Sequence, residues 1–246
     1  MKKALFLIFS FLVLITGILV LIFHSNTRDS VEAFCYDLFN KNEYIDTKEG
    51  MQGVLSTFKK IRLKDLPKDY LVSSKMSHST YTSLTKNSSF YVIKKRDCYK
   101  KILGNNRIKS LISQDKRYAN TWYFSDETLY LGIDERVLYK ALELQDALSE
   151  KQFDRDALKI TSGHRTPQRN KAVGGASKSR HIKGEALDMW IGDINKDGVY
   201  SKEDKQIVLE LCDKKIIGNE GGIGLYPGTQ VVHIDVRGRR ARWNSF

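Results

Sequence analysis

The feature that most constrains this chain is an apolar run near its N-terminus. All residues from 4 to 23 are apolar except Ser10, Thr16 and Gly17. As a helix, such a run is about 30 Å long, which is the thickness of the hydrocarbon core of a bilayer. Two lysines precede the run. The positive-inside rule therefore predicts a cytoplasmic N-terminus and an exported remainder.

A cleaved signal peptide is the alternative to a membrane anchor at residues 1–23. Its apolar part is usually shorter, roughly 7–15 residues, and ends at a small-residue cleavage site. Here the run ends Leu21-Ile22-Phe23-His24-Ser25-Asn26, without such a site. We therefore expect an uncleaved transmembrane helix, and secretion if the segment is cleaved after all.

Composition excludes several other classes. The chain has 246 residues, and its three prolines and 11% aromatic residues exclude a disordered or collagenous chain. Three cysteines exclude a disulfide scaffold. A bridge between Cys35 and Cys98 is conceivable, but the sequence leaves the pairing open. It also leaves the oligomeric state open. The formal net charge of +12 suits an anionic matrix or membrane surface. Nucleic acid is not expected as a partner, because the anchor places the domain on the wrong side of the membrane.

Regular patterns become clear only in the C-terminal half. Residues 24–125 show no repeat and no chemical motif, although Tyr81, Phe90–Ile93 and Trp122–Phe124 suggest strands. Residues 126–246 form the predicted α+β domain. Its predicted helices are Glu135–Ser149, Gln168–Val173 and Ser201–Lys215, and its predicted strands are Ala157–Thr161, Gly222–Tyr226 and Gln230–Val236.

Three residues of this half can make a catalytic zinc site: His181, Asp188 and His233. Zinc binds imidazole nitrogen and carboxylate oxygen, and a catalytic site leaves its fourth position to water. Spacing alone is a weak signal, because such combinations are common. Asp235 follows His233 by two residues, so both side chains can face one pocket of a strand. Asp235 can then act as a catalytic base or orient a metal ligand.

Longer motifs strengthen this prediction. They are Ser162-Gly163-His164-Arg165-Thr166-Pro167, then Ser179-Arg180-His181-x-x-Gly184-x-Ala186-x-Asp188, then Gly221-Gly222-Ile223-Gly224-Leu225-Tyr226, and Val232-His233-Ile234-Asp235. In this order, over Arg136–Trp243, they resemble the zinc D-alanyl-D-alanine peptidase family, murein peptidases that share a fold with the hedgehog signalling domain. The resemblance implies a central antiparallel sheet with flanking helices, and Zn²⁺ bound by His181, Asp188 and His233. It also implies that Arg165 holds the substrate or the developing oxyanion.

The function implied by this resemblance is hydrolysis of amide bonds in peptidoglycan stem peptides or cross-links. The predicted location is the bacterial cytoplasmic membrane, crossed once, with the domain on the periplasmic or extracellular side. One departure matters: many relatives carry a Glu or His base two or three positions before the last zinc ligand, where this chain has Gln230, Val231 and Val232.

The missing base motivates an inactive hedgehog-like module that binds wall peptide or a partner protein. A third hypothesis is a calcium-dependent adhesion protein whose working part is the segment 24–130. His164 stands where relatives often have Tyr, and we expect a structural role for it rather than a ligand role.

A second cation site is predicted between the zinc ligands. Residues 193–204 fit the twelve-position calcium loop, with glycine at position six for the sharp turn. The predicted Ca²⁺ ligands are Asp193, Asn195, Asp197, the carbonyl of Val199, and Asp204. Position twelve is Asp where EF-hands usually have Glu, as in dockerin-type loops. We interpret the loop as a structural clip, with an acidic solvated turn as the alternative.

Overall fold

The computed structural model describes residues 25–76, 89–113 and 127–244. The chain divides into two compact units after Glu43. The described part of the first unit holds helix α1 (Ser25–Phe39). No helix within these ranges is both long and apolar enough to cross a bilayer. The predicted anchor at 1–23 and the strands suggested around Tyr81 and Trp122 lie outside the described residues.

The second unit mixes helices and strands. Its α-helices are α2 (Lys48–Ser56), α3 (Lys68–Ser73), α4 (Ile108–Leu111), α5 (Glu135–Glu150), α6 (Pro167–Ala172) and α7 (Lys202–Leu211). Its strands are β1 (Lys59–Arg62), β2 (Ser89–Lys94), β3 (Lys101–Leu103), β4 (Asn106–Arg107), β5 (Thr128–Leu131), β6 (Leu158–Ser162), β7 (Ala186–Ile191), β8 (Gly222–Leu225), β9 (Val231–Asp235) and β10 (Ala241–Asn244). Short 3₁₀ turns include Arg180–Lys183, and a π-helical turn, Cys212–Ile216, extends α7.

The central sheet has five strands in the order β10-β8-β9-β7-β6. Its neighbours are antiparallel except for the parallel pair β10–β8. Because β9 ends beside the start of β8, the short connection 236–240 brings β10 alongside β8 in the same direction. The α+β class predicted from sequence is confirmed, with this parallel edge pair as a difference from the expected antiparallel sheet.

Helix α7 covers one face of this sheet, and helix α5 packs against α7. Helix α5 begins after Asp134, whose side chain accepts from Arg136 N, and it buries apolar residues spaced three and four apart. Helix α7 begins with a capping box formed by Ser201 and Asp204, and it packs against β7, β9 and α5. The strand residues that point toward the helices are apolar and buried: Leu187, Met189, Ile191, Val232 and Ile234. The opposite face of the sheet is therefore the one that carries polar side chains.

A smaller antiparallel sheet, ordered β1-β2-β5, contributes to a second core. This core contains Leu63, Leu66, Met76 and Phe90, and also Ile182 from the turn Arg180–Lys183. The described residues of the region 44–113, which the sequence left without a role, thus pack against the C-terminal half of the same unit. Cys98 and Cys212 are buried thiols, and no bridge joins Cys35 to Cys98.

Candidate metal centre

A single row of residues crosses the central sheet from edge to edge. Asp188 is paired with Ser162 on one side and with His233 on the other. His233 is paired with Gly224, and Gly224 with Trp243. Directly paired residues place their side chains on the same face of a sheet. The row Ser162–Asp188–His233–Gly224–Trp243 therefore lies on the face opposite the helices, which we call the metal face.

His181 completes the site from outside the sheet. It lies in the 3₁₀ turn Arg180–Lys183, and its Nε2 is 3.1 Å from Asp188 Oδ1 and 3.2 Å from His233 Nδ1. The third distance, from His233 Nδ1 to Asp188 Oδ1, is 2.9 Å. All three side chains are buried. Sequence reasoning predicted this triad, and the structure brings its members together at one point.

The hydrogen bonds on the outer sides of the two imidazoles fix their tautomers. His181 Nδ1 lies 2.6 Å from Gly163 O, which can only accept, so Nδ1 carries the proton. His233 Nε2 lies 3.1 Å from Asp235 Oδ2, and it carries the proton for the same reason. In its neutral form, each ring then directs a lone pair toward Asp188 Oδ1. Three electron-rich atoms that converge in this way, without a proton between them, are suited to a cation.

The spacing agrees with zinc. With bonds of about 2.0–2.1 Å, a tetrahedral zinc ion separates neighbouring ligand atoms by roughly 3.3–3.4 Å. The observed separations are only slightly shorter, at 2.9–3.2 Å. Within the described part of the chain, this triad is the group of His, Cys, Asp or Glu side chains that converges closely enough to hold a metal.

The charge of Asp188 is held by its surroundings. Burial alone would raise its pKa, but the adjacent imidazoles of His181 and His233 outweigh burial and keep the pKa well below the usual range. Burial lowers the pKa of His181. Burial also acts to lower the pKa of His233, but the carboxylates of Asp188 and Asp235 outweigh it and raise that pKa.

Arg165 borders the triad. Its Nη2 donates to Asp188 Oδ2, and its Nε donates to Ser162 Oγ at 2.8 Å. A guanidinium has five N–H donors in a fixed fork, so three remain for a substrate. The side chain is 17% exposed, which leaves it in reach of a bound molecule. The structure thus places Arg165 beside the metal ligands.

Asp235 lies behind His233 rather than beside the point where the lone pairs converge. Its carboxylate is fully buried and accepts from Gly222 N at 3.0 Å and from Arg237 Nε at 2.8 Å and Nη2 at 2.5 Å. Any side chain at position 222 would collide with it, since a Cβ there would lie 2.3 Å from Asp235 Oδ2. Burial acts to raise the pKa of Asp235, but His233 and Arg237 hold that pKa well below its usual range. This geometry matches the orienting role, one of the two roles that the sequence left open.

The loop that carries Arg165 rests on the N-terminal part of the unit. His164 N donates to Leu111 O at 2.9 Å, and Thr166 N donates to Ser113 Oγ at 3.0 Å. The ring of His164 is buried edge-to-face against Phe90, with centroids 5.6 Å apart. Burial, with a smaller effect of His181, lowers the pKa of His164 to about 3, so it stays neutral. These non-local contacts give residues 44–113 a supporting role that sequence patterns did not indicate.

Two aromatic residues near the triad were also missed. The Trp243 ring lies 5.0 Å from that of His233, and the Arg237 guanidinium lies 5.0 Å from the Trp243 ring. Gly224 leaves space for the indole, because a Cβ there would lie 2.7 Å from it. Burial raises the pKa of Tyr226 to about 12, and the negative charge of Asp188 adds to this effect. Tyr226 belongs to the glycine-rich motif, which was the only signal for it.

In the loop 193–204, unlike in the triad, the carboxylates accept hydrogen bonds from the backbone of the loop itself. Asp204 is buried; its Oδ1 accepts from Ile194 N at 2.7 Å and its Oδ2 from Ser201 N at 2.8 Å. Asp193 Oδ2 accepts from Gly198 N at 2.8 Å, where the glycine has a φ of 87°. Asp197 Oδ1 accepts from Val199 N at 2.8 Å. The carboxylates of this described loop do not converge into a second group like the triad.

An α+β domain that gathers two histidines, an aspartate and an arginine on one face of its sheet has the residue set of a metallopeptidase site. Residues 124–235 match the model of the family Peptidase M15. The matched segment contains the whole triad together with Arg165 and Asp235. No curated protein and no solved structure gives a match to the chain.

Proposed function

We propose that this chain is a zinc-dependent peptidase that hydrolyses amide bonds in the stem peptides or cross-links of peptidoglycan. One observation carries the proposal: two imidazole lone pairs and one carboxylate oxygen meet within 3.2 Å, with both outer ring nitrogens bonded to acceptors. The M15 family of residues 124–235 supports the peptidase activity. The choice of zinc rests on the donor set, because two imidazoles and one carboxylate are ligands that catalytic zinc takes.

The chain's own residues divide the remaining work. A zinc ion held by the triad would supply an activated water and would polarise the substrate carbonyl. Arg165 stabilises the negative charge that develops on the carbonyl oxygen of the scissile amide, through its free N–H groups. Asp235 keeps the His233 ring in its orientation through Nε2. Tyr226 stays protonated at neutral pH, so its phenol can donate a hydrogen bond to the substrate.

The test uses the full-length chain, defined cross-linked muropeptides and mass spectrometry of the fragments. We expect cleavage of one type of amide bond, loss of cleavage with a zinc chelator, and recovery when zinc is added back. A fragment pattern that is the same with and without the chelator would refute the zinc peptidase. Peptides that contain only ordinary L-residues serve as the control for the peptidoglycan part of the proposal.

A second function is favoured by the absence of an ionisable side chain at residues 230–232, where many relatives carry the base. Gln230 donates Nε2 to Ser201 O at 2.7 Å and thus serves the fold. With Asp235 fully engaged, a zinc module that binds wall peptide without cleaving it is the alternative. Such a module would cosediment with purified sacculi and leave their fragment pattern unchanged.

Two further parts of the proposal concern the surroundings of the site. We propose anchoring in the bacterial cytoplasmic membrane through residues 1–23, with the domain facing the wall. We also propose that Ca²⁺ binds the loop 193–204 as a structural ion. Terbium luminescence tests the latter, because Tyr200 lies within the loop and can sensitise a bound lanthanide. The signal should fall on addition of calcium and be absent in Asp193→Asn.

A further inference from the structure

The metal face continues beyond the row that carries the triad. In the next row, Lys159 of β6 is paired with Trp190 of β7, and Trp190 with Val231 of β9. Trp190 follows Asp188 by two residues, so the two side chains leave the same face about 7 Å apart. A bulge between Ile160 and Ser162 shifts the register of β6. This bulge lets Lys159 and Ser162 both point to the metal face.

The loop 193–204 reaches over this second row. The ring of Tyr200 lies edge-to-face against Trp190 with centroids 5.2 Å apart, and Lys159 Nζ lies 5.6 Å from the Trp190 centroid. Tyr200 nevertheless remains 64% exposed. Ligand sites typically combine such aromatic surface with a few polar or charged groups. The three side chains form a surface next to the triad, which we call the aromatic wall: Lys159, Trp190 and Tyr200.

Hydrogen bonds fix the C-terminal end of the loop that carries Tyr200. Lys205, at the start of α7, is buried, and its Nζ donates to Tyr226 O and Thr229 O, both at 2.8 Å. Asp204 closes the loop on its own backbone through Ile194 N and Ser201 N. The loop and the β8–β9 turn are thereby joined into one unit at the border of the site. A surface ordered in advance loses little conformational entropy when a ligand binds.

We propose that the aromatic wall is a specificity surface that binds an acidic segment of the peptide substrate beyond the scissile amide. The proposal rests on the peptidase function, because it assigns substrate contacts next to the same triad. The rings of Trp190 and Tyr200 provide contact area at low entropic cost, and Lys159 provides the positive charge that pairs with a substrate carboxylate. The insert between the second and third metal ligands thus contributes to substrate selection.

The test compares a minimal peptide around the scissile amide with a longer peptide that carries an acidic segment. For the full-length Tyr200→Ala, we expect KM for the longer peptide to rise about tenfold, with kcat unchanged and both constants unchanged for the minimal peptide. Tyr200→Phe keeps the ring and should behave like the wild type. Lys159→Gln should raise KM for the acidic peptide but not for its amidated form, and Lys171→Gln serves as the charge control.

Equal KM values for the wild type and Tyr200→Ala on the longer peptide would overturn the proposal that the aromatic wall binds substrate. If the wild type cleaves neither peptide, the peptidase function fails, and calorimetry then tests the wall by itself. Weaker binding of the acidic peptide by Tyr200→Ala would uphold it. Equal binding by both proteins, or no binding by the wild type, would overturn it. Zinc content and melting temperature, measured for every variant, identify any loss of folding.

Discussion

Two regions of this molecule gather side chains that could bind a cation, and they differ in the hydrogen bonds that those side chains already make. In the triad, the outer atoms of His181 and His233 are bonded, and the inner atoms face each other without a donor between them. In the loop 193–204, carboxylate oxygens already accept from backbone N–H groups. The ligand atoms of the triad are therefore free for a cation, whereas Ca²⁺ in the loop would share carboxylates that already bond to the backbone. The difference lies in whether the fold itself provides the partners.

The largest expected effect separates the two regions directly. His181→Ala should lose its zinc and at least about a thousandfold in activity, since several kcal/mol of transition-state stabilisation depend on the metal. Asp193→Asn should keep one zinc per chain and most of its activity. Elemental analysis and muropeptide digestion measure both. Zinc loss in Asp193→Asn, or full activity in His181→Ala, would remove the distinction.

Arg165→Lys sharpens the assignment within the triad region. Lysine keeps the charge but lacks the fork that reaches Ser162, Asp188 and a substrate together. We expect zinc content to be unchanged and kcat to fall by about 10²–10³-fold. The control is Arg169→Lys in α6, which should leave kcat at the wild-type value. A fall in zinc content that parallels the loss of activity would point to a purely structural role for Arg165.

Asp235→Asn distinguishes an orienting carboxylate from a catalytic base. Loss of the charge that holds His233 should weaken zinc binding by about 10–100-fold, as measured by chelator competition. At saturating zinc, kcat should remain close to that of the wild type. Unchanged zinc affinity with a strongly reduced kcat would instead identify Asp235 as the base. Glu150→Gln, which removes an exposed ion pair with Lys215, is the matched control.

The smallest effect concerns the loop and depends on pH. Burial acts to raise the pKa of Asp204, but hydrogen bonds from Ser201, Asn195 and Ile194 lower it below the value of the unfolded chain. The carboxylate therefore stabilises the folded state above about pH 4, and this contribution is lost as the pH falls through the lower, folded-state pKa. Asp204→Asn turns an amide toward backbone donors, and it should lower the free energy of unfolding by about 1–3 kcal/mol at pH 7.

Urea denaturation of both proteins at pH 7 and at pH 3 measures this difference. The difference in the free energy of unfolding between wild type and Asp204→Asn should narrow at the lower pH. At pH 3, the Asp204 carboxyl of the unfolded wild-type chain is already largely protonated. Glu203→Gln, a neighbouring exposed residue, should show no gap at either pH. A gap that stays constant from pH 7 to pH 3 would mean that the charge of Asp204 contributes nothing to stability.

Local chemistry made part of this architecture predictable. The triad and Arg165 were predicted from motifs that resemble a peptidase family, whereas the α+β class and helix α5 were predicted from apolar spacing. Strand β7 was missed because Asp188 interrupts its apolar run, although that interruption is what supplies a metal ligand. Strand β10 is short, and two of its four residues, Ala241 and Arg242, carry no strand preference.

What lies beyond prediction depends on distant contacts. Ile182, next to His181, packs in one core with Phe90. His164 N donates to Leu111 O, and both contacts join segments far apart in the chain. The pattern of residues 44–113 contains no trace of these contacts. In the same way, the two roles of Asp235 differ only in which side of the His233 ring it occupies, and this requires coordinates.

The register shift in β6 has one more consequence. A regularly alternating edge strand would turn Lys159 and Ser162 to opposite faces, because their separation is odd. One supernumerary residue at this place lets the same short strand reach the proposed metal site at its end and the proposed recognition surface at its beginning. Without the bulge, only one of these two side chains could point to the metal face. The bulge therefore couples the proposed metal site to the proposed recognition surface.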